Sequence, residues 1–328
     1  MSGDDPTISR RQFVASAGAV TASSAIGTAQ AAAPERLAGR FAGKIAWITG
    51  GARGQGRSHA QRLAAQGADI IISDSVTSLP TIEYPMASQA DLDETAEMVR
   101  AMGRRVLALR SDVRDPDAVT EVAQKGVEMF GRIDLLVANA GVYGTAPLAS
   151  MSDGLFDDVV RTNLYGVFHS MRAVLPGMVA RRYGRIVAIA SLAARTGQMN
   201  SGAYCASKWG VIGMVKATAL EVAKSNVTVN CVCPTGVNTP LLNNAAAWKR
   251  ALPGDAEPSR EKFEAKMRLN PFAPKVCLGW NRQTSVTASS SSCLKKHGIS
   301  LVQPLTWRPE AWPLTWRRCP FFWPHQMH

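Results

Sequence analysis

Short apolar runs rich in Ile and Val recur along the chain at Lys44–Thr49, Asp69–Asp74, Arg105–Arg110, Ile133–Ala138, Arg185–Ala190 and Val227–Val232. Continuous apolar runs of this length predict strands buried on both faces. Between them lie longer stretches whose apolar residues return every three to four positions: Gln55–Gln66, Leu92–Met102, Pro116–Phe130, Asp153–Ala180 and Ala203–Lys224. These predict helices. Strands alternating with crossover helices define a parallel sheet covered on both sides, and right-handed crossovers make it doubly wound. The expected fold is therefore α/β: a Rossmann-like, three-layer α/β/α single domain. One connection is long for its slot. Residues 75–91, with Pro80 and Pro85, predict an inserted loop between the second strand and the next helix.

The pattern fails toward the C-terminus. A sheet of this type gains a seventh strand there, yet none is legible after about Pro274. The tail instead carries a four-serine run (Ser289–Ser292) and five tryptophans, Trp280, Trp307, Trp312, Trp316 and Trp323, without apolar periodicity. Codons chosen for Val276–Pro304 and read two bases on can give a helix followed by the start of a last strand. The expectation is a frameshift between about Asn270 and Val276, with residues 275–328 an aberrant tail and the last strand missing or replaced. The rival is a genuine C-terminal extension. If the frameshift is real, the sheet loses an edge and the product is an inactive one.

At the other end, Ser9-Arg10-Arg11-Gln12-Phe13-Val14 precedes a mild Ala/Gly/Ser/Thr stretch that ends in a small-x-small pattern at Ala29-Gln30-Ala31. This resembles a twin-arginine export leader over residues 1–33. The expected location is outside the cytoplasm, with a cytoplasmic protein as the alternative. No apolar run reaches the length of a membrane span.

The formal charge of +12 invites a nucleic-acid reading. Much of the excess lies at the ends: from Val276 onward six basic residues accompany a single acid, Glu310. The central body shows no Lys/Arg stripe interleaved with aromatics, so no nucleic-acid partner is expected. The six cysteines form no CxxC pair and no zinc spacing with His, which predicts neither a metal site nor a disulfide framework.

Chemistry gathers at the strand ends. After the first strand comes Thr49-Gly50-Gly51-Ala52-Arg53-Gly54-Gln55-Gly56. A glycine-rich turn that follows a strand and opens a helix lets backbone approach a pyrophosphate, while the helix N-terminus offers free N–H groups. Gly50, Arg53, Gly54, Gln55 and Gly56 are the candidate contacts. Asp74 ends the second strand, where a carboxylate accepts from ribose hydroxyls and repels a 2′-phosphate, so NAD is expected over NADP. Asp112 and Val113 follow the third strand, where adenine would lie. Asn139, Ala140 and Gly141 end the fourth. Ser191 ends the fifth, and Tyr204 and Lys208 form Tyr-x-x-x-Lys on the next helix, four apart and therefore on one face. A free tyrosine titrates at about 10, and a nearby ammonium favours its phenolate. Asn163 lies inside a long helix, where Asn is a poor choice by propensity.

Together these motifs resemble the short-chain dehydrogenase/reductase family over about residues 40–245. The resemblance implies that Tyr204 is the general base or acid, that Ser191 hydrogen-bonds the substrate oxygen, that Lys208 tunes Tyr204 and holds the nicotinamide ribose, and that Asn163 positions a water. It also implies a segment, Pro234-Thr235-Gly236-Val237-Asn238-Thr239-Pro240, closing on the nicotinamide, with Pro234, Val237 and Thr239 as contacts. The family more often has Gly where Thr235 stands. Gly54-Gln55-Gly56-Arg57-Ser58-His59 and the 75–91 insertion resemble the mycofactocin-dependent, carveol-dehydrogenase-like branch, which implies tightly held NAD reoxidised by an external carrier.

The expected organisation is thus a leader (1–33), a dinucleotide-binding catalytic domain (40–274) with a substrate lid at 236–270, and the tail. The expected activity interconverts a secondary alcohol and a ketone on a small hydrophobic substrate, since Leu241, Leu242, Trp248 and Met267 give the lid an apolar character. A homo-oligomer, dimer or tetramer, is expected if the C-terminus is intact. The competing reading is a non-catalytic NAD-binding sensor on the same fold, which needs no Tyr204.

Overall fold

The computed structural model describes residues 39–269 and 300–301. The predicted leader and nearly all of the predicted tail, with the frameshift junction, lie outside the described residues. Seven strands form one sheet in the order β3-β2-β1-β4-β5-β6-β7. They are β1 (Ile45–Thr49), β2 (Asp69–Asp74), β3 (Val106–Arg110), β4 (Leu135–Ala138), β5 (Gly184–Ile189), β6 (Val227–Cys233) and β7 (Ser300–Leu301). The first six pair in parallel. The order reverses between β1 and β4, and the crevice above that switch point is where such sheets hold ligands.

The doubly covered sheet explains the unbroken apolar runs. Ile45 and Trp47 of β1 pack into one cluster with Val119, Val122, Met171, Val174 and Val211. Their neighbours Ala46 and Ile48 point the other way, into a cluster with Ala60, Leu63, Leu92 and Val99. Each fully buried Ile or Leu contributes on the order of 2 kcal/mol of hydrophobic stabilisation, so both faces bind the sheet to its helices.

The helices are α1 (Gly54–Ala65), α2 (Gln89–Arg100), α3 (Pro116–Phe130), α4 (Asp153–Val160), α5 (Gly166–Ala180), α6 (Gly202–Glu221), α7 (Ala245–Ala251) and α8 (Arg260–Leu269). Helix α3 has the predicted bounds because its ends are chemically marked. Asp115 caps it by accepting from the N–H groups of Asp117 and Ala118, Pro116 opens it, and Gly131 closes it with φ of 83°. Helix α2 begins three residues before the expected Leu92, because Ser88 and Asp91 form a reciprocal capping box. The inserted loop is correspondingly shorter.

The predicted helix Asp153–Ala180 is helical from end to end, but residues Arg161–Tyr165 form a π-helical turn between α4 and α5. A one-residue widening of this kind re-aims a side chain, and it often marks a functional site. The last strand is expected to be missing or replaced, and among the described residues its place is taken by β7, two residues antiparallel to β6, with Val232 opposite Leu301 and Cys233 opposite Ser300.

The inserted loop builds a third, smaller core. Leu79, Ile82 and Tyr84 are buried with Val142, Leu155, Val159 and Ala203, and Tyr143, Tyr204 and Leu241 pack against them. No helix among the described residues is long and apolar enough to cross a membrane.

Candidate active site

The glycine turn is shaped by what it leaves out. Gly50 and Gly54 adopt φ of 63° and 59°, a region that favours glycine. At Gly56 a Cβ would lie 1.9 Å from the Gly50 carbonyl oxygen. Helix α1 therefore starts tight against β1, and its first turn holds no acidic residue to compete for its N–H groups. Thr49 and Asn139 lock the turn to β4: Asn139 Nδ2 donates to the carbonyls of Thr49 and Gly50, both at 3.0 Å, and Thr49 Oγ1 accepts from the N–H groups of Asn139 and Ala140. Arg57 braces the same turn from α1. It donates to the Ala52 carbonyl and to Thr95 Oγ1, and pairs with Glu94 at 2.7 Å.

These elements border a solvent-open cleft of about 910 Å³. Of the predicted cofactor contacts, Gly50, Arg53, Gly54, Gln55, Asp74, Asp112, Val113, Asn139, Ala140, Gly141 and Thr239 line it. Gly56, Pro234, Val237, Tyr204 and Lys208 are not among its lining residues. Gly56 is buried under the turn, the Pro234 carbonyl accepts from Leu192 N–H, and the Val237 carbonyl accepts from Thr239 Oγ1.

Asp74 closes the end of β2, accepting from Ala52 N–H at 3.1 Å and Val76 N–H at 3.4 Å. Burial raises its pKa, against those hydrogen bonds and the charge of Arg53. Arg53 donates to the carbonyl of Pro85 in the inserted loop. Asp112 is committed to Arg114 at 2.7 Å, and Arg114 in turn reaches Asp158 at 2.6 Å.

The cleft fits a dinucleotide on two counts. Its glycine cradle would be filled by side chains, and the hydroxyls of Ser111 and Thr162, which line it, are buried without a hydrogen-bond partner in the protein.

The four predicted catalytic residues converge beside this cleft. Ser191 follows β5; its hydroxyl accepts from Ala193 N–H at 3.2 Å and lies on the side of the Tyr204 phenol. Lys208 is buried one helical turn on and donates to the Ile189 carbonyl at 2.8 Å. Its Nζ lies 5.7 Å from the centre of the Tyr204 ring. Asn163 sits on the π turn, fully buried. Its Oδ1 accepts from Val142 N–H at 2.8 Å, and its Nδ2 donates to the Val142 carbonyl and to Ser207 Oγ. The widened turn thus aims Asn163 at the β4 loop and at α6 together.

Burial governs the titration of this group. It pushes the Tyr204 phenol up to about 12, opposed by the Ser191 hydrogen bond. It pushes Lys208 down to about 8, opposed by Cys233. Desolvation of the phenol is the largest influence on Tyr204 and acts against the lowering expected there.

The motifs did not disclose the residues that pack beside Tyr204. The Tyr143 ring stands perpendicular to that of Tyr204, centroids 4.8 Å apart. The loop residues Leu79, Tyr84, Met86 and Ala87 line the cleft. Their only signal in the sequence was the length of the insertion. In the lid, Leu241 lines the cleft while Trp248 donates to Asn243 at 2.7 Å. The Met267 side chain lies outside the described residues. Cys231 and Cys233 are both buried in β6. No metal-binding cluster occurs among the described residues.

A glycine turn after β1 and a Ser/Tyr/Lys set after β5, on one doubly wound sheet, define the class of a nucleotide-dependent oxidoreductase. The short chain dehydrogenase family matches residues 44–250, and the chain belongs to it. The (−)-trans-carveol dehydrogenase of Rhodococcus erythropolis is 39% identical over 228 residues, 69% of this chain and 82% of its own length. Among solved structures, carveol dehydrogenase from Mycobacterium avium in complex with NAD superposes with a TM-score of 0.69 and 40% identity over 70% of this chain and 84% of that one. A short chain dehydrogenase from Mycobacterium paratuberculosis bound to NAD gives 0.61 and 35% over 70% and 92%.

Proposed function

We propose that this enzyme interconverts a small hydrophobic secondary alcohol and its ketone, using NAD, with Tyr204 moving the proton. The observation that carries this is the gathering of Ser191, Tyr204 and Lys208, with Lys208 Nζ 5.7 Å from the centre of the Tyr204 ring, beside a glycine-cradled cleft. The dinucleotide, when bound, supplies the hydride chemistry and, oxidised, a positive ring. Tyr204 takes the proton from the alcohol oxygen, or returns it to the ketone oxygen. Ser191 holds that oxygen in line with the phenol. Lys208 bonds the nicotinamide ribose and offers positive charge beneath the phenol. Asn163 fixes the β4 loop and positions the water that connects Lys208 to solvent. Gly50, Arg53, Gly54 and Gln55 receive the pyrophosphate with Gly56 packed beneath them, Asp112 and Val113 border the adenine, and Pro234, Val237 and Thr239 border the nicotinamide. Asp74 selects NAD, since its carboxylate would repel a 2′-phosphate. The NAD-bound relatives and the carveol dehydrogenases support this reading.

The inserted loop supports tight retention of the dinucleotide. It is fastened at Thr81 to Asp158, at Glu83 to Arg250, at Tyr84 to Tyr143 and at Pro85 to Arg53, and it lines the cleft. Retained NAD implies reoxidation by an external carrier of the mycofactocin kind, which suits export through a twin-arginine leader. The test is turnover of (−)-trans-carveol, with an artificial electron acceptor present to reoxidise bound NADH, by the wild type and by Tyr204→Phe. Turnover lost in the variant supports the reading, and equal turnover rejects it. NAD that leaves freely on gel filtration rejects the retention.

A further inference from the structure

The inserted loop does more than cover the cleft. Tyr84, 7% exposed, accepts the backbone N–H of Tyr143 on its hydroxyl at 3.1 Å. Tyr143 stands perpendicular to the Tyr204 ring at 4.8 Å, an arrangement favoured between aromatic rings. The Tyr143 hydroxyl meets Ser201 Oγ at 3.0 Å, and Ser201 immediately precedes α6, the helix that carries Tyr204. Leu79, Ile82, Val142 and Leu155 close the cluster around this chain of contacts. The tyrosine of the loop and the reactive phenol are thus joined through one intervening residue.

We infer that Tyr84 is a positioning residue for the reaction: through Tyr143 it holds the Tyr204 ring in place and keeps water from its phenol. The inference rests on the reading of Tyr204 as the proton-moving group. The physical reason is one of satisfaction. Without the Tyr84 hydroxyl, the Tyr143 N–H loses its partner in a part-buried place, and it recovers one only by shifting toward solvent. The Tyr143 ring then leaves the side of Tyr204, whose geometry and dryness both relax. Small displacements at a reacting centre cost rate steeply.

The chain has only five tyrosines, so ring-labelled tyrosine gives a resolvable NMR spectrum in which Tyr204→Phe assigns Tyr204. In Tyr84→Phe, the Tyr204 signal is expected to move as the perpendicular ring withdraws. The kcat with (−)-trans-carveol is expected to fall by about tenfold. The pH limb of kcat assigned to Tyr204 is expected to shift to lower pH, because burial is what holds that phenol high. A purely structural role for Tyr84 would lower the melting temperature and leave that limb in place. If Tyr84→Phe does not fold, Tyr143→Leu, which removes the ring from beside Tyr204, is expected to give the same signal shift and the same loss. A Tyr204 signal that stays in place, or one that moves while kcat and its pH limb do not, overturns the inference. Undiminished turnover by Tyr204→Phe overturns the reading beneath it, and is distinguishable because the NMR shift is read without turnover.

Discussion

The cofactor end and the catalytic end of the cleft are built from different materials. Around Gly50, Gly54 and Gly56 the working parts are backbone and empty space, and side chains such as Thr49, Asn139 and Arg57 serve only to hold that backbone. Around Ser191, Tyr204 and Lys208 the working parts are side-chain heteroatoms, made unusual by burial. Substitutions should therefore act by steric exclusion at the first end and by chemistry at the second.

The sharpest test of that division is Tyr204→Phe, which removes one oxygen and no packing. Turnover is expected to fall by about 10²–10⁴-fold, while NAD affinity by calorimetry stays at the wild-type value. A parallel loss of NAD affinity would break the division. The converse variant is Gly56→Ala. Its added carbon would meet the Gly50 carbonyl at 1.9 Å, so α1 must move off β1. NAD affinity is expected to drop by roughly a hundredfold, about 2.7 kcal/mol, with the tyrosine signals of the catalytic end unchanged. Smaller again is Asp74→Ser, which removes the negative charge that faces a 2′-phosphate. The preference for NAD over NADP, measured as a ratio of kcat/KM, is expected to fall by about tenfold.

The last prediction concerns stability alone. His59 on α1 is buried, its Nε2 has no partner, and burial pushes its pKa down to about 4. The unfolded chain takes up a proton near pH 6.5 that the folded chain refuses until about 4. Stability is thus held above pH 6.5 and lost as pH falls toward 4, by on the order of 3 kcal/mol over that window. His59→Gln is expected to flatten this dependence in melts between pH 7 and 4.5. An unchanged slope would show that His59 is not its source.

The sheet was legible because its signals are local. Strand β2 and helix α3 have the expected bounds, set by an Ile run in one and by Asp115, Pro116 and Gly131 in the other. Strand β4 begins at Leu135 rather than Ile133. The Asp134 carboxylate accepts the Ile45 N–H at 3.0 Å, so a side chain does there what a ladder carbonyl would do. The π turn was hidden because its cause is distant. Asn163 bonds both backbone groups of Val142, a partner that helical periodicity cannot name. The order of motif residues along the chain disclosed the catalytic set. It did not disclose Tyr84 or Tyr143, whose place depends on how an irregular loop folds onto α4 and α6.

The fastenings of that loop also bear on the order of assembly. Thr81 reaches Asp158 across 77 residues and Glu83 reaches Arg250 across 167, whereas β1 and β2 need only a single helix between them. Contacts that close long stretches of chain carry the largest entropic cost and set slowly. The Glu83–Arg250 fastening closes more chain than any pair of neighbouring parallel strands, β1 with β4 included, so the sheet is expected to form before the wall beside Tyr204 is complete. During biosynthesis this protein therefore passes through a stage in which its strands are paired but its reactive phenol is still wet.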